Sequence, residues 1–138
     1  MPSNTTGRPG MSLRSTARRS GCVSVASSST TEWVRGHLAR LGILESFDCI
    51  RCRDDVPNAK PEPDLYLAVL ECLGVRAEEA IAIEDSPNGV LAAKRAGLRC
   101  VAIPNSITAR LDLGQADLLL GSLAEVTLPE LLSKLSAA

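Results

Sequence analysis

The sequence predicts an α/β domain built on a parallel sheet. Short apolar runs alternate with amphipathic stretches of helical period, and several of those stretches stop at a glycine. Strands that alternate with helices are joined by crossovers, which makes neighbouring strands parallel. Polar residues also gather directly after the apolar runs, and in such sheets ligands bind beyond the carboxyl ends of the strands.

The elements follow in order. Cys22 to Ala26 is a β-type run that stops at Ser27-Ser28-Ser29. Thr30 or Thr31 can cap a helix through Leu41, with Val34, Leu38 and Leu41 on one face and Gly42 as its stop. Phe47 to Cys52 is a second apolar run, and Asp54 to Asp64 is a loop with three prolines. Leu65, Val69, Cys72 and Leu73 then share a helix face that ends near Gly74. Ala80 to Ile83 is a buried strand followed by Glu84 and Asp85. Ser86 suits an N-cap and Pro87 the first helical position of a helix that runs to Ala96. Arg99 to Ile103 and Ala116 to Leu120 read as strands, and Leu128 to Leu135 as a terminal amphipathic helix.

Composition excludes several classes. Of 138 residues, 45% are apolar but only 2% aromatic, so the core must be aliphatic. A net charge of −1 excludes a generally basic nucleic-acid binder. No apolar run reaches the ~18 residues of a membrane span. The 5 cysteines are odd in number and unevenly spaced, which excludes complete pairing and suggests no disulfide framework. A reducing, cytoplasmic setting is expected. Residues 1–20 hold Arg8, Arg14, Arg18 and Arg19 and no acid, with many Ser, Thr, Gly and Pro. This segment reads as disordered or irregular, with an organelle transit peptide as the alternative. Residues 21–138 are the domain.

Three strand ends carry polar groups. Hydroxyls and free N–H groups at Ser27-Ser28-Ser29, where a helix begins, suit an anion such as phosphate. Pro61 and Pro63 stiffen the loop after Lys60, whose ammonium can neutralise a phosphate or a metal-bound carboxylate. Glu84 and Asp85 follow a strand and precede a capped helix; paired oxygen ligands of this kind suit Mg²⁺. A helix-compensating role explains one of these acids better than both. Cys49-Ile50-Arg51-Cys52 has the CxxC spacing, but no second Cys or His pair stands at zinc spacing, so a thiol redox or zinc role there is only the weaker alternative. Trp33 and His37, one turn apart, read as packing or surface residues.

Taken in order, these segments resemble the haloacid dehalogenase-like (HAD) hydrolase superfamily, in its β-phosphoglucomutase-like and phosphoglycolate-phosphatase-like branch. Val23 to Ser29 is similar to the strand bearing the phosphate-binding Ser/Thr motif. Phe47-Asp48, Asp54-Asp55-Val56 and Lys60-Pro61-Glu62-Pro63-Asp64 are similar to the Lys motif. Ile81 to Val90, with Ala92-Ala93 and Ala96-Gly97, is similar to the acidic metal motif and its helix. Pro9-Gly10-Met11 resembles the Pro-Gly-Val that precedes the first motif. The resemblance implies a Rossmann-like parallel sheet and phosphoryl transfer to or from a small phosphorylated metabolite, with Mg²⁺. By position, Ser27 would hydrogen-bond a phosphate oxygen and the Ser28 N–H would assist. Lys60 would be the catalytic cation, and Glu84 and Asp85 would hold the metal.

One departure is large. The family's nucleophile lies in Asp-x-Asp, and none of the seven aspartates here (48, 54, 55, 64, 85, 112 and 117) is followed two residues later by another. The helical cap domain has no counterpart either. In the resembled fold the nucleophile strand lies at the centre of the sheet, so its loss should split the sheet between the strands ending at Ser27 and at Glu84. The expectation is therefore an N-terminally truncated hydrolase core, inactive as this chain. The alternative is a non-catalytic remnant that binds phosphate, or a partner supplying the missing N-terminal half. Nucleic acid and membrane are not expected partners.

Overall fold

The computed structural model of the chain describes residues 21–137. The expectations placed on residues 1–20, including the resemblance at Pro9-Gly10-Met11, lie outside the described residues. The chain runs β1 (Ser24–Ser27), α1 (Thr31–Arg40), β2 (Cys49–Cys52), α2 (Asp64–Leu73), β3 (Ile81–Glu84), α3 (Pro87–Arg95), β4 (Arg99–Ala102), β5 (Leu118–Leu119) and α4 (Leu128–Ala137).

All strand pairs are parallel. β1 pairs with β2, placing Ser24 opposite Cys49 and Ser27 opposite Cys52. β3 pairs with β4 and β4 with β5. The two sheets, β1-β2 and β3-β4-β5, share no strand pairing among the described residues, so the sheet divides between β1 and β3. That is the division the resemblance implies.

Local chemistry explains the helix ends. Thr30 caps α1 by accepting from the Trp33 N–H, and Ser86 caps α3 by accepting from the Gly89 N–H, with Pro87 at the first turn. Gly74 ends α2 in the left-handed conformation, φ 66°, which a residue with a Cβ adopts only at a cost. The strand margins differ from those predicted: β1 and β3 run one residue further, to Ser27 and Glu84, while β2 and β5 are shorter. Leu44–Ser46 forms a 3₁₀ turn that takes the chain as far as Phe47, so β2 begins only at Cys49. Asp55 Oδ2 accepts from the Cys52 N–H and starts a further 3₁₀ turn, Arg53–Asp55, inside the expected loop.

The core has a continuous floor and a divided roof. Tyr66 and Leu70 of α2, Val90, Ala92 and Ala93 of α3, Ala82 of β3 and Cys100 of β4 form one cluster, and Ala26 of β1 packs onto it. On the opposite faces, Val34, Ile50 and Cys52 form one cluster and Val101, Leu120, Leu131 and Leu135 another. Small alanines on α3 and β3 let helix and sheet approach closely. Among the described residues no helix is long and apolar enough to cross a membrane.

The cysteines depart from expectation. Cys49 of β2 and Cys72 of α2 form a disulfide. Helix α2 lies against β2, and that packing joins thiols 23 residues apart, a proximity that spacing alone does not reveal. Cys52 and Cys100 are free and buried, and Cys22 is exposed.

Leu65 is fully enclosed at the start of α2. Leu65→Ala should cost about 2–5 kcal/mol, read as a lower urea midpoint at unchanged slope. A loss under about 1 kcal/mol would show that Leu65 is not enclosed as described.

Candidate functional site

Strand β1 ends at Ser27 and the chain turns at once into α1. Ser27 Oγ accepts from the Ser29 N–H at 3.1 Å, so its own proton is left to donate. Ser28 is exposed, and its Oγ accepts from the Lys60 N–H at 3.4 Å. That contact ties the Lys60 loop to the end of β1. The Lys60–Pro61 peptide is cis.

Lys60 folds inward from this loop. Its Nζ donates to the Ala26 carbonyl oxygen at 2.8 Å and to Glu84 Oε1 at 2.5 Å. It also sits 4.9 Å from the centre of the Tyr66 ring, a cation–π contact. The Lys60 and Glu84 side chains are only 13% and 7% exposed, so this ion pair is largely desolvated. An ammonium has three N–H donors, and two are committed to protein.

Glu84 is the centre of the arrangement. Its Oε1 accepts from both Lys60 Nζ and the Tyr66 hydroxyl. Its carboxylate lies against the first turn of α3, so close to Gly89 that a Cβ there would stand 1.9 Å from Oε2. Gly89 is thus required by close approach, and the carboxylate gains from the positive end of the helix. Burial, followed by the adjacent Glu84 charge, pushes the Tyr66 phenol far above its ordinary range. Burial and Glu84 also push the Cys100 thiol up to about 12, which leaves it an inert packing residue.

Asp85 takes a different part. It is exposed, and its Oδ2 accepts from Asn105 Nδ2 at 3.2 Å. A cavity of about 370 Å³ opens beside it, lined by Ile83, Glu84, Asp85, Ile103, Ser122 and Leu123. The two acids are hard oxygen donors of the kind Mg²⁺ takes. However, Glu84 is held by Lys60 and Tyr66, and no cluster of three or more His, Cys, Asp or Glu side chains suited to a metal exists among the described residues. Asp85 alone is turned outward, so the described donors do not make a complete cage.

The geometry therefore brings Ser28, Lys60 and Glu84 into one contiguous set, with Ser27 and Asp85 as chain neighbours. Sequence reading missed Tyr66, Gly89 and Asn105. Tyr66 had a signal: it is the only tyrosine, on the buried face of a helix, where a hydroxyl needs a partner. Gly89 lies within the acidic segment but was given no role of its own, and Asn105 had no signal. Cys49 and Cys52 take no part in this set; Trp33 and His37 stack on each other, ring centres 5.0 Å apart, on α1.

Parallel strands, crossover helices and a polar set at the strand ends define an open-sheet α/β domain with its candidate site beyond the strands. A haloacid dehalogenase-like hydrolase profile matches residues 12–103, and the chain belongs to that family. It is 45% identical over 115 residues to YhcW of Bacillus subtilis (strain 168), a protein that carries the name of a phosphatase; the match covers 83% of this chain and 52% of YhcW. The crystal structure of CbbY from Rhodobacter sphaeroides in complex with phosphate aligns with a TM-score of 0.72 and 40% identity, over 75% of this chain and 48% of that one. A β-phosphoglucomutase from Clostridium difficile aligns with a TM-score of 0.73 and 26% identity, over 84% and 49%. The chain thus spans about half the length of the relatives it matches.

Two outcomes test the geometry. Lys60→Met leaves Glu84 buried and unpaired and should cost about 3–5 kcal/mol, whereas the double variant Lys60→Met/Glu84→Gln should regain most of that loss. Equal losses in the single and double variants would contradict the pair. Because Tyr66 is the sole tyrosine, absorbance at 295 nm during alkaline titration reports it alone. Its raised folded value means the native state holds the proton more tightly than the unfolded chain. This stability is full below the unfolded phenol's value of about 10 and falls as pH rises beyond it, so ionisation should appear only with unfolding. A tyrosinate signal near pH 10 in the folded chain would contradict the contact with Glu84.

Proposed function

We propose that this chain carries the phosphate-gripping part of a HAD-family phosphatase or phosphomutase site for a small phosphorylated metabolite. The observation that carries the reading is the desolvated Lys60 ammonium. Anchored by Ala26 and Glu84, it has one N–H left for a ligand beside the hydroxyls of Ser27 and Ser28. A phosphate there would accept from Lys60 Nζ, from the Ser27 hydroxyl and from the Ser28 N–H. The anchoring bonds fix the direction of the cation before the ligand arrives, so little reorganisation is needed on binding. That CbbY was crystallised with phosphate supports a phosphate in this fold.

Mg²⁺ is part of the proposal. It would bind with the phosphate rather than ahead of it, taking Asp85 as its outward carboxylate, with Glu84 in support. When bound, such an ion offsets negative charge on a phosphoryl group. The described residues do not form a full cage, so the ligand itself is required to complete the site. The 138 residues contain no Asp-x-Asp, so this chain alone is inactive toward phosphate esters in this account. A cytoplasmic setting belongs to the same proposal. The free buried thiols of Cys52 and Cys100 agree with it, and the Cys49–Cys72 bridge argues against it.

The experiment is thermal unfolding with inorganic phosphate, with and without Mg²⁺. Phosphate should raise Tm, since a ligand of the native state stabilises it by mass action, and Mg²⁺ should enlarge the shift. Lys60→Arg, which keeps the charge but not the point geometry, should reduce the phosphate shift. Asp85→Asn should remove only the Mg²⁺ increment. No phosphate shift at concentrations up to tens of millimolar would sink the reading, and turnover of p-nitrophenyl phosphate by the chain alone would refute its inactivity.

A further inference from the structure

We infer that Cys49 and Cys72 form a thiol–disulfide modification site, opened and closed by exchange with a protein dithiol, which controls how firmly the Lys60 loop is held. The effect on phosphate rests on the reading of Lys60 given above; the exchange and its effect on the loop do not.

The bridge closes a ring that contains the site's cation. Between Cys49 and Cys72 lie the rest of β2, the Lys60 loop and most of α2. Lys60 Nζ and the Tyr66 hydroxyl, which both donate to Glu84 Oε1, are inside that ring. No residue from 53 to 63 is buried, so packing does little to place this loop. Its polar ties are slight. The Lys60 N–H meets Ser28 Oγ at 3.4 Å, and Arg95 reaches the Pro61 carbonyl and the Glu62 carboxylate at 3.2 Å each. The Arg95 and Glu62 side chains are about half exposed, where an ion pair contributes little. A cross-link removes conformations from the opened chain, so local opening of the ring is rarer while the bridge is intact.

The two cysteines differ in access. Cys72 is exposed on α2, whereas Cys49 is buried on β2. Exchange therefore begins at Cys72. A thiolate of the partner attacks Cys72 Sγ, the bond to Cys49 breaks, and Cys49 leaves as a thiolate that takes up a proton. The partner's second thiolate then attacks its own sulfur in the mixed disulfide. Cys72 leaves and takes up a proton, and the partner becomes the disulfide. Two electrons have passed to this chain, and exchange with the oxidised partner returns them. Cys52 does not compete. Three residues from Cys49, it faces the other side of β2, packed with Val34 and Ile50. Burial pushes its thiol up. The redox partner of Cys49 thus comes from α2 and not from the CxxC spacing. In a reducing compartment disulfides are usually transient, which reconciles this bridge with the free buried thiols of Cys52 and Cys100.

Thioredoxin is the probe, applied to the oxidised full chain without denaturant. Reduced thioredoxin should open the bridge, read by mass as alkylation of Cys49 and Cys72. A thioredoxin lacking its second cysteine should be trapped on Cys72. After reduction, amide exchange at Lys60 and Glu62 should quicken at least about fivefold, with Val101 and Ala102 unchanged. The phosphate Kd should rise at least about threefold, because the cation is less well placed beforehand. Cys72→Ser should match the reduced chain with or without thioredoxin; if that variant unfolds, reduction of the unaltered chain decides. A bridge that resists thioredoxin, trapping at another cysteine, or Lys60 exchange that is unchanged or quickens equally throughout the chain would overturn the switch. Equal phosphate affinity in both forms would overturn its effect on the site. Phosphate bound by neither form would refute the phosphate reading, and exchange at Lys60 would still decide the switch.

Discussion

The Lys60–Glu84 ion pair holds this molecule in register. The two sheets share no backbone ladder, and their outward faces pack on separate clusters. Lys60 spans the division with charge-assisted hydrogen bonds, one to the backbone of β1 and one to the acid that ends β3. Isolated burial of either charge is strongly unfavourable, so each depends on the other. Tyr66 adds a neutral donor to the same oxygen, and the first turn of α3 presents its positive end to the carboxylate. Gly89 is the condition for that approach. The alternation of strand and helix sets where these groups stand, and the ion pair sets how closely they meet.

The architecture was largely legible in the sequence because it rests on local patterns. The caps at Thr30 and Ser86, the stop at Gly74 and the aliphatic faces of α1 to α4 are properties of neighbouring residues. Strand margins were less legible. Phe47 is apolar enough to prolong a strand, yet the 3₁₀ turn of Leu44–Ser46 delays β2, and the Asp55 side chain captures the Cys52 N–H at its far end. The candidate site divides in the same way. Ser28, Lys60 and Glu84 could be proposed from their positions after apolar runs, whereas the contact between Lys60 and the Ala26 carbonyl joins residues 34 apart and has no sequence signature. The disulfide shows the limit from the other side: an odd cysteine count excludes complete pairing, but only the packing of α2 on β2 selects Cys49 and Cys72.

The same features frame the proposed phosphate site. Family membership and the half-length match to relatives describe one core whose central cleft is bordered by parallel edges. Lys60 stands at the carboxyl end of that cleft, where ligands of open α/β sheets bind. Its commitment to Ala26 and Glu84 keeps a cation ready without a ligand. Its third N–H, the Ser27 and Ser28 hydroxyls and the outward Asp85 carboxylate remain at the rim. A phosphate would thus meet groups already oriented by the interactions that tie the two sheets.

The most direct measurement is a crystal structure of the full chain grown with inorganic phosphate. The account predicts the anion on Lys60 Nζ and the Ser27-Ser28 turn, with Lys60 still paired to Glu84 and the sheet divided between β1 and β3. An anion bound elsewhere, with Lys60 turned to solvent and apart from Glu84, would contradict it.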